Sequence, residues 1–413
     1  MSPTSLTSPT GSADEYPRVI DHVVEKHHDD LIDLRRDLHR HPELSWEERR
    51  TTDRVVEILE HLGWRVTASQ RSGALAEIGE GDRVVALRAD LDALPVQDLT
   101  QDPWTSMVPG VAHACGHDVH TSALIGAAHA LAEVHARGLL PGRVRLLFQP
   151  AEEVMPGGAV HLINHGAIED VERMYALHAE PAVDVGTIGV RTGPITSAAD
   201  RIEVRLEGNG GHTSRPHLTG DLTFALAKLA GELPAVLSRR MDPRSGVSVV
   251  WGVLRAGSAP NVIPDQGIAA GTVRILDSVA WAGVEAVVRE AVLDIVRPYG
   301  VTAMVDYLQG VPPVVNDPVS AALVASAVDA VLGPHHRTDV PQSLGGEDFG
   351  WYLSSVPGAM FRLGTRTPGG ATYDLHQGDL RIDEQSIGVG ARVLAAVAVR
   401  TLSTAATRSD STR

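Results

Sequence analysis

The chain has 413 residues, 43% of them hydrophobic and 21% charged, ordinary proportions for a globular protein long enough to form two domains. A formal net charge of −16 argues against general affinity for nucleic acid. No stretch approaches the ~20 apolar residues of a membrane span, and the single cysteine, Cys115, excludes an intrachain disulfide and fits a reducing cytoplasm.

Residues 1–16 are rich in Ser, Thr and Pro and read as a disordered tail, not a signal peptide; residues 403–413 read as a flexible tail. Apolar positions at helical spacing predict a helix over Val19–Arg40, ended by Pro42, and another over Glu47–His61, ended by Gly63. Strands are expected over Trp64–Ala68, Ala74–Ile78 and Val84–Arg88, then a helix over His120–Arg137. Strands Val144–Phe148 and Arg173–Leu177 flank a further helical segment, so this region reads as an α/β domain with a largely parallel or mixed sheet.

From about Ile195 the rhythm changes. Strand Arg201–Leu206, helix Asp221–Arg239, strands Val247–Leu254 and Gly267–Ile275, helix Ala280–Val296 and strand Thr302–Leu308 follow in turn. That β-α-β-β-α-β series is the ferredoxin-like order. After Pro312 and Pro313 the first rhythm resumes with helices Asp317–Leu332 and Glu384–Leu402. The simplest organisation is a mixed-sheet α/β domain over 17–194 and 310–402, interrupted by an inserted βαββαβ domain over 195–309.

The densest chemical signal is His113-Ala-Cys115-Gly-His117-Asp118-Val-His120, at a loop-to-helix junction. In a loop, residues two apart can converge on one metal; the plain alternative is a buried structural cysteine with histidines capping a helix. Next come the adjacent carboxylates Glu152 and Glu153, after a strand. Neighbouring side chains diverge from an extended backbone, which suits one glutamate as a metal ligand and the other as a proton carrier; solvated surface residues are the alternative. His178 ends another strand, and Asp374-Leu-His376 lies almost two hundred residues later. Asp90, Asp92, Glu152, Glu153 and His178 all follow expected strands, and open α/β sheets gather ligands at the carboxyl ends of their strands. No Gly-x-Ser-x-Gly elbow or phosphate-binding P-loop is present.

Several segments together carry a family resemblance. They are Asp37-Leu-His-Arg-His-Pro-Glu-Leu-Ser, Arg88-Ala-Asp-Leu-Asp-Ala-Leu-Pro, His113-Ala-Cys-Gly-His-Asp, Phe148-Gln-Pro-Ala-Glu-Glu, Gly210-Gly-His-Thr, Asn261-Val-Ile-Pro, Gly271-Thr-Val-Arg, Glu347-Asp-Phe and Leu375-His. Spanning roughly residues 30 to 400, the sequence resembles the aminoacylase and carboxypeptidase superfamily of two-metal hydrolases. Within it, the resemblance points to the branch of hippurate hydrolases, N-acyl-amino-acid amidohydrolases and auxin-conjugate hydrolases. It implies a catalytic α/β domain with an inserted lid or dimerisation domain, and a homodimer or higher homo-oligomer formed through that insertion.

The resemblance further implies metal ligands Cys115, His117, Glu153, His178 and His376, with Glu152 as general base. Five ligands are few for two ions, so a shared ligand, the Cys115 sulfur, and a bridging water or hydroxide would complete the site. Zinc, manganese, cobalt or nickel all suit such donors. His212 is nominated as oxyanion donor, from its own or a partner subunit, with His217 a weaker candidate. Arg274 and Asn261 are nominated to hold a substrate carboxylate, and Asp90 and Asp92 to orient the histidines or buffer metal charge. The expected reaction is hydrolysis of a small N-acyl amino acid or similar amide by a metal-activated water. A dipeptidase or carboxypeptidase of the same architecture and a non-catalytic metal-binding protein are the alternatives; neither nucleic acid nor membrane is an expected partner. Two departures from the family pattern, Gly346 for a serine and Leu380 for an aromatic residue, are expected to affect substrate fit or packing, not the reaction type.

Overall fold

A computed structural model describes residues 15–404. The expected tails lie otherwise outside the described residues, but Tyr16 is buried and opens the first helix, and the last helix runs through Ser403. The chain forms two compact units. One comprises residues up to Thr192, Asn316–Val340 and from Ser355 onwards; the other comprises Gly193–Val315 and Pro341–Ser354.

Among the described residues, the first unit is built on an eight-stranded mixed sheet. Its spatial order is Arg65–Ala68, Ala74–Gly79, Arg143–Gln149, Val84–Asp90, Val171–Asp184, Gly358–Arg366, Ile188–Gly189 and Arg337–Thr338. Val84–Asp90 runs parallel to both neighbours, and all seven of its residues are buried, as in a strand covered on both faces. Helices His117–Ala136 and Gln385–Ser403 pack on each other and against this strand. Small residues allow the approach: a Cβ on Gly126 would stand 2.7 Å from the Ala391 Cβ. Contrary to the expectation from hydropathy, Gln385–Ser403 has the length and apolar character of a membrane span. Its most apolar window is 78% buried inside the protein, which is why it reads here as a core helix.

Three local differences from the sequence reading have physical causes. The helix expected over Val19–Arg40 is two helices, Tyr16–Lys26 and His28–Arg40, separated at His27, where ψ turns to 11°. Asp29 and Asp30 favour a fresh start there, being acidic residues in a first helical turn. The strand expected over Arg173–Leu177 runs on through Val171–Asp184, beyond Pro181. Its pairing with Val84–Asp90 stops at Ala176, and Pro181 falls in an irregularity of its pairing with Gly358–Arg366, so the missing N–H breaks no ladder bond. Strand Gly358–Arg366 itself was not anticipated, because its near-continuous burial leaves no alternating pattern and its Gly-Ala-Met-Phe start lacks the β-branched residues that mark Val84–Asp90.

The second unit carries an antiparallel sheet in the order Ser248–Ala256, Gln266–Ile275, Ala198–Glu207 and Thr302–Val311. Helices Leu222–Arg240 and Ser278–Val296 pack against each other. Alternate residues of the inner strand, Ala198, Asp200, Ile202, Val204 and Leu206, are buried, the period of a sheet with one covered face. Both helices start on aspartates: Asp221 accepts from the Phe224 N–H at 3.2 Å and Asp277 from the Ala280 N–H at 2.7 Å.

Candidate metal centre

Cys115 and His117 occupy the turn that feeds helix His117–Ala136. Gly116 between them has φ 86°, where a side chain is strained, and a Cβ there would meet Ile382 at 2.9 Å. The turn leaves ligand atoms of Cys115, His117 and His178 all within 4.8 Å of one another. His117 Nδ1 donates to the Asp92 carbonyl and His178 Nδ1 to the Ala179 carbonyl, both at 2.8 Å. Nε2 is therefore the ring atom each histidine offers to the cluster, and that of His178 lies 3.6 Å from the Cys115 sulfur.

Glu153 Oε1 lies 3.8 Å from His117 Nε2 and 3.4 Å from His376 Nε2. His376 reaches the pocket at φ 63°, its N–H donating to the Ala114 carbonyl at 2.7 Å, beside Cys115. Cys115 belongs to two donor groups, one with His117 and His178, the other with Glu153 and His376; Glu152 joins His117 and Glu153 in a third. The five residues expected as ligands and the expected base thus meet in one place within the first unit.

The two aspartates act on different partners. The Asp92 carboxylate accepts the N–H groups of Glu152 and Glu153, each at 3.0 Å, and the Ser45 hydroxyl at 2.6 Å. Asp90 accepts from His120 Nδ1 at 2.6 Å and from Arg88 at 2.5 Å, all of them buried. His120 Nε2 in turn accepts the Ala179 N–H at 2.8 Å, one residue past His178. Arg88 and His120 stand inside the motifs quoted above without having been singled out. The signal for Arg88 was a charge pair with Asp90 in a strand otherwise apolar enough to be fully buried, whereas His120 lies on the buried first turn of helix His117–Ala136.

Burial, reinforced by the Glu153 charge, pushes the Cys115 thiol up to about 12. Burial opposes a charge on His117, but the Asp90 carboxylate, the Cys115 sulfur and the Asp92 hydrogen bond together outweigh it, and its pKa lies well above the ordinary value. Burial and the Arg362 charge drive His178 well below it. The Glu153 hydrogen bond raises His376. A cation entering this pocket would displace protons from Cys115 and His117. His117 Nε2 is buried with no hydrogen-bond partner, a costly state for a polar atom that coordination would relieve. The mixed N, O and S donors therefore fit a divalent transition ion.

His212, Asn261 and Arg274 belong to the second unit. His212 is exposed on the short strand Gly211–His212, opposite Val262, and its Nδ1 accepts the Ser214 N–H at 3.0 Å. The Asn261 carbonyl accepts from the Thr213 N–H at 3.3 Å. His217 is exposed in the 3-10 turn Pro216–Leu218. Arg274 is half-buried, and burial lowers its pKa against the opposing pull of Asp200. Gly346 explains its own departure: a Cβ there would stand 2.6 Å from the Ala199 Cβ and 3.8 Å from an Arg274 guanidinium nitrogen. The other departure, Leu380, is buried in the first unit.

The chain is 48% identical over 369 residues to a protein of Rhodococcus jostii (strain RHA1) named "Putative glutamate--cysteine ligase 2-3", matching 89% of this chain but only 46% of that protein. It is 37% identical over 381 residues to N-acetylcysteine deacetylase of Bacillus subtilis (strain 168), covering 91% of this chain and 98% of that one. Among solved structures it resembles the Bacillus subtilis YXEP protein, described as a dinuclear metal binding peptidase from M20 family, with a TM-score of 0.80 and 34% identity over 92% of this chain and 99% of that one. The model of Peptidase family M20/M25/M40 matches residues 86–400. With its donor cluster and this match over most of its length, the chain belongs to the Peptidase family M20/M25/M40 and is a metal-dependent amide hydrolase.

Proposed function

We propose that the chain removes the acyl group from a small N-acyl amino acid or related amide conjugate, using two divalent ions held by Cys115, His117, Glu153, His178 and His376. The observation that carries this reading is the meeting of those five donors, with the thiol common to two groups, beside a second carboxylate, Glu152. Metal storage has no use for an extra carboxylate next to a ligand; hydrolysis does. Zinc, manganese, cobalt and nickel all suit the donor set. When bound, such ions polarise a carbonyl and lower the pKa of a coordinated water.

Glu152 takes a proton as the nucleophile adds and returns it to the departing nitrogen. His212 in its neutral form carries its proton on Nε2, because Nδ1 accepts from Ser214, and that N–H is the donor for a developing oxyanion. The Arg274 guanidinium holds a substrate carboxylate by paired hydrogen bonds, with Asn261 adding one more. In this reading the second unit is a ferredoxin-like insertion serving as lid and dimerisation element, so His212 comes from its own or a second copy of the chain. A reducing cytoplasm suits the thiol.

Two of the relatives are named for cysteine chemistry, which makes N-acetylcysteine the first substrate to try. The test is metal analysis coupled to hydrolysis of N-acetylcysteine, other N-acetyl and N-benzoyl amino acids, and simple dipeptides. Turnover of N-acyl amino acids supports the proposal. Turnover of dipeptides alone replaces it with the peptidase reading, and stoichiometric metal with no turnover leaves a binding protein.

A further inference from the structure

Glu48 follows Trp46 and Glu47 at the start of helix Arg49–His61, where a carboxylate would ordinarily cap the helix or face water. It does neither. Glu48 is fully buried and makes no side-chain cap bond to its own helix. One carboxylate oxygen accepts the Trp46 N–H at 2.9 Å and the Ala151 N–H at 2.7 Å; the other accepts the Ser72 hydroxyl at 2.6 Å. Burying a carboxylate is costly, and these three donors are what satisfies it.

Both backbone partners are unusual. Trp46 has φ 72° and Ala151 has φ 54°, left-handed positions that side-chain-bearing residues adopt only when their surroundings hold them there. Ala151 immediately precedes Glu152. The next two N–H groups, of Glu152 and Glu153, end on the two oxygens of Asp92 at 3.0 Å each. Three consecutive amide hydrogens, 151 to 153, therefore terminate on two buried carboxylates. The Ala151 carbonyl closes the other side by accepting the Gly158 N–H at 2.9 Å. In an extended chain successive N–H groups point to opposite sides, so this convergence fixes a turn, and with it the directions in which Glu152 and Glu153 leave the backbone.

We propose that Glu48 is a positioning residue for the hydrolytic centre: its buried carboxylate locks the left-handed Ala151 turn and so aims Glu152 and Glu153. The inference rests on the roles proposed above for those two glutamates. Its effect runs through acceptor geometry, not through charge on the substrate.

The test uses the full chain, metal-loaded for kinetics and metal-free for calorimetric titration with Zn2+. Glu48→Gln keeps an acceptor oxygen toward the two N–H groups and can turn its amide to Ser72, so it retains most of the wild-type kcat and Zn2+ affinity. Glu48→Asp draws the carboxylate back by one methylene and Glu48→Met removes it. Both lower Zn2+ affinity about 10- to 100-fold and kcat about 100-fold. Because the change falls on geometry at the reacting groups, KM moves by no more than roughly threefold. Adding Ala151→Gly to Glu48→Met recovers about tenfold in kcat, since glycine takes the left-handed turn without help.

Wild-type affinity and kcat in Glu48→Asp overturn the proposal, whether or not Glu48→Met folds. A Glu48→Gln variant as weak as Glu48→Asp also overturns it, because charge would then be what matters. Failure of the functional reading looks different: the metal-loaded wild type would cleave no amide in the panel while the Zn2+ affinities still ranked as stated.

Discussion

In the first unit His117 and His178 are buried, each with Nδ1 tied to a main-chain carbonyl, whereas in the second His212 is exposed on a two-residue strand. The same contrast holds for carboxylates and their neighbours. Glu152 and Glu153 have their backbone N–H groups fixed by Asp92, but Asn261 is tied through its main-chain carbonyl, which leaves its side chain uncommitted to that bond. Ions demand set distances and angles, so their ligands are preorganised by neighbours. In the roles proposed above, His212, Asn261 and Arg274 meet a substrate and need only reach it when it arrives. Arg274 stands between these cases, half-buried beside Ala199 and Gly346.

The sharpest way to break this contrast is Glu152→Gln. If Glu152 carries protons and Glu153 carries metal, kcat falls by about 10²–10⁴-fold while metal content stays that of the wild type. Full activity, or loss of metal in step with activity, would merge the two roles. Arg274→Ala addresses the other side. KM for carboxylate-bearing amides should rise about tenfold or more, that for neutral amides little, because one charge-assisted contact is lost. Equal losses on both substrate types would remove Arg274 from binding.

Gly346→Ser probes the tight spot next to Arg274. The added Cβ must displace Ala199, so thermal or denaturant unfolding should show a loss of about 1–3 kcal/mol, relieved by a second change, Ala199→Gly. An unaltered stability would mean that the strand ends there yield freely. The last test concerns His129, where burial works against the charge as it does at His117, but the neighbouring His27 adds to that effect instead of offsetting it, and the group is pushed down to about 4. Between pH 6.5 and 4 the unfolded chain then binds a proton the folded one refuses, so stability falls as pH drops through that window. Its contribution cannot exceed about 1.4 kcal/mol per pH unit. Comparing unfolding of wild type and His129→Phe across the window isolates it; identical slopes would deny the depressed titration.

Much of the candidate site was legible because its chemistry sits in dense local motifs. Cys115 and His117 are two apart and Glu152 and Glu153 adjacent; each pair alone left a plain structural reading open, and their places at strand ends together with the family resemblance pointed to metal and proton transfer. The supporting groups were less legible. Glu48 lies in an acidic, helix-like run, and nothing local marks it as buried; its role depends on Ala151, about a hundred residues away. Strand Gly358–Arg366 escaped because, buried on both faces, it has no period-2 signature, and its Gly-Ala-Met-Phe start lacks the Val pair that marks the equally buried Val84–Asp90. Alternation is plain in the inner strand Ala198–Glu207 of the second unit, where one face is covered and charged residues mark the other.

His376 hangs from the Ala114 carbonyl, yet its codon is read long after those of the other four donors. A ribosome-bound chain stopped short of it would hold a thiol, two imidazoles and a carboxylate but not the fifth donor, which follows strand Gly358–Arg366 in the chain. On the proposed ligand set, full metal loading would be a late event in biogenesis, and a product truncated before His376 would betray itself by weakened retention of its ions.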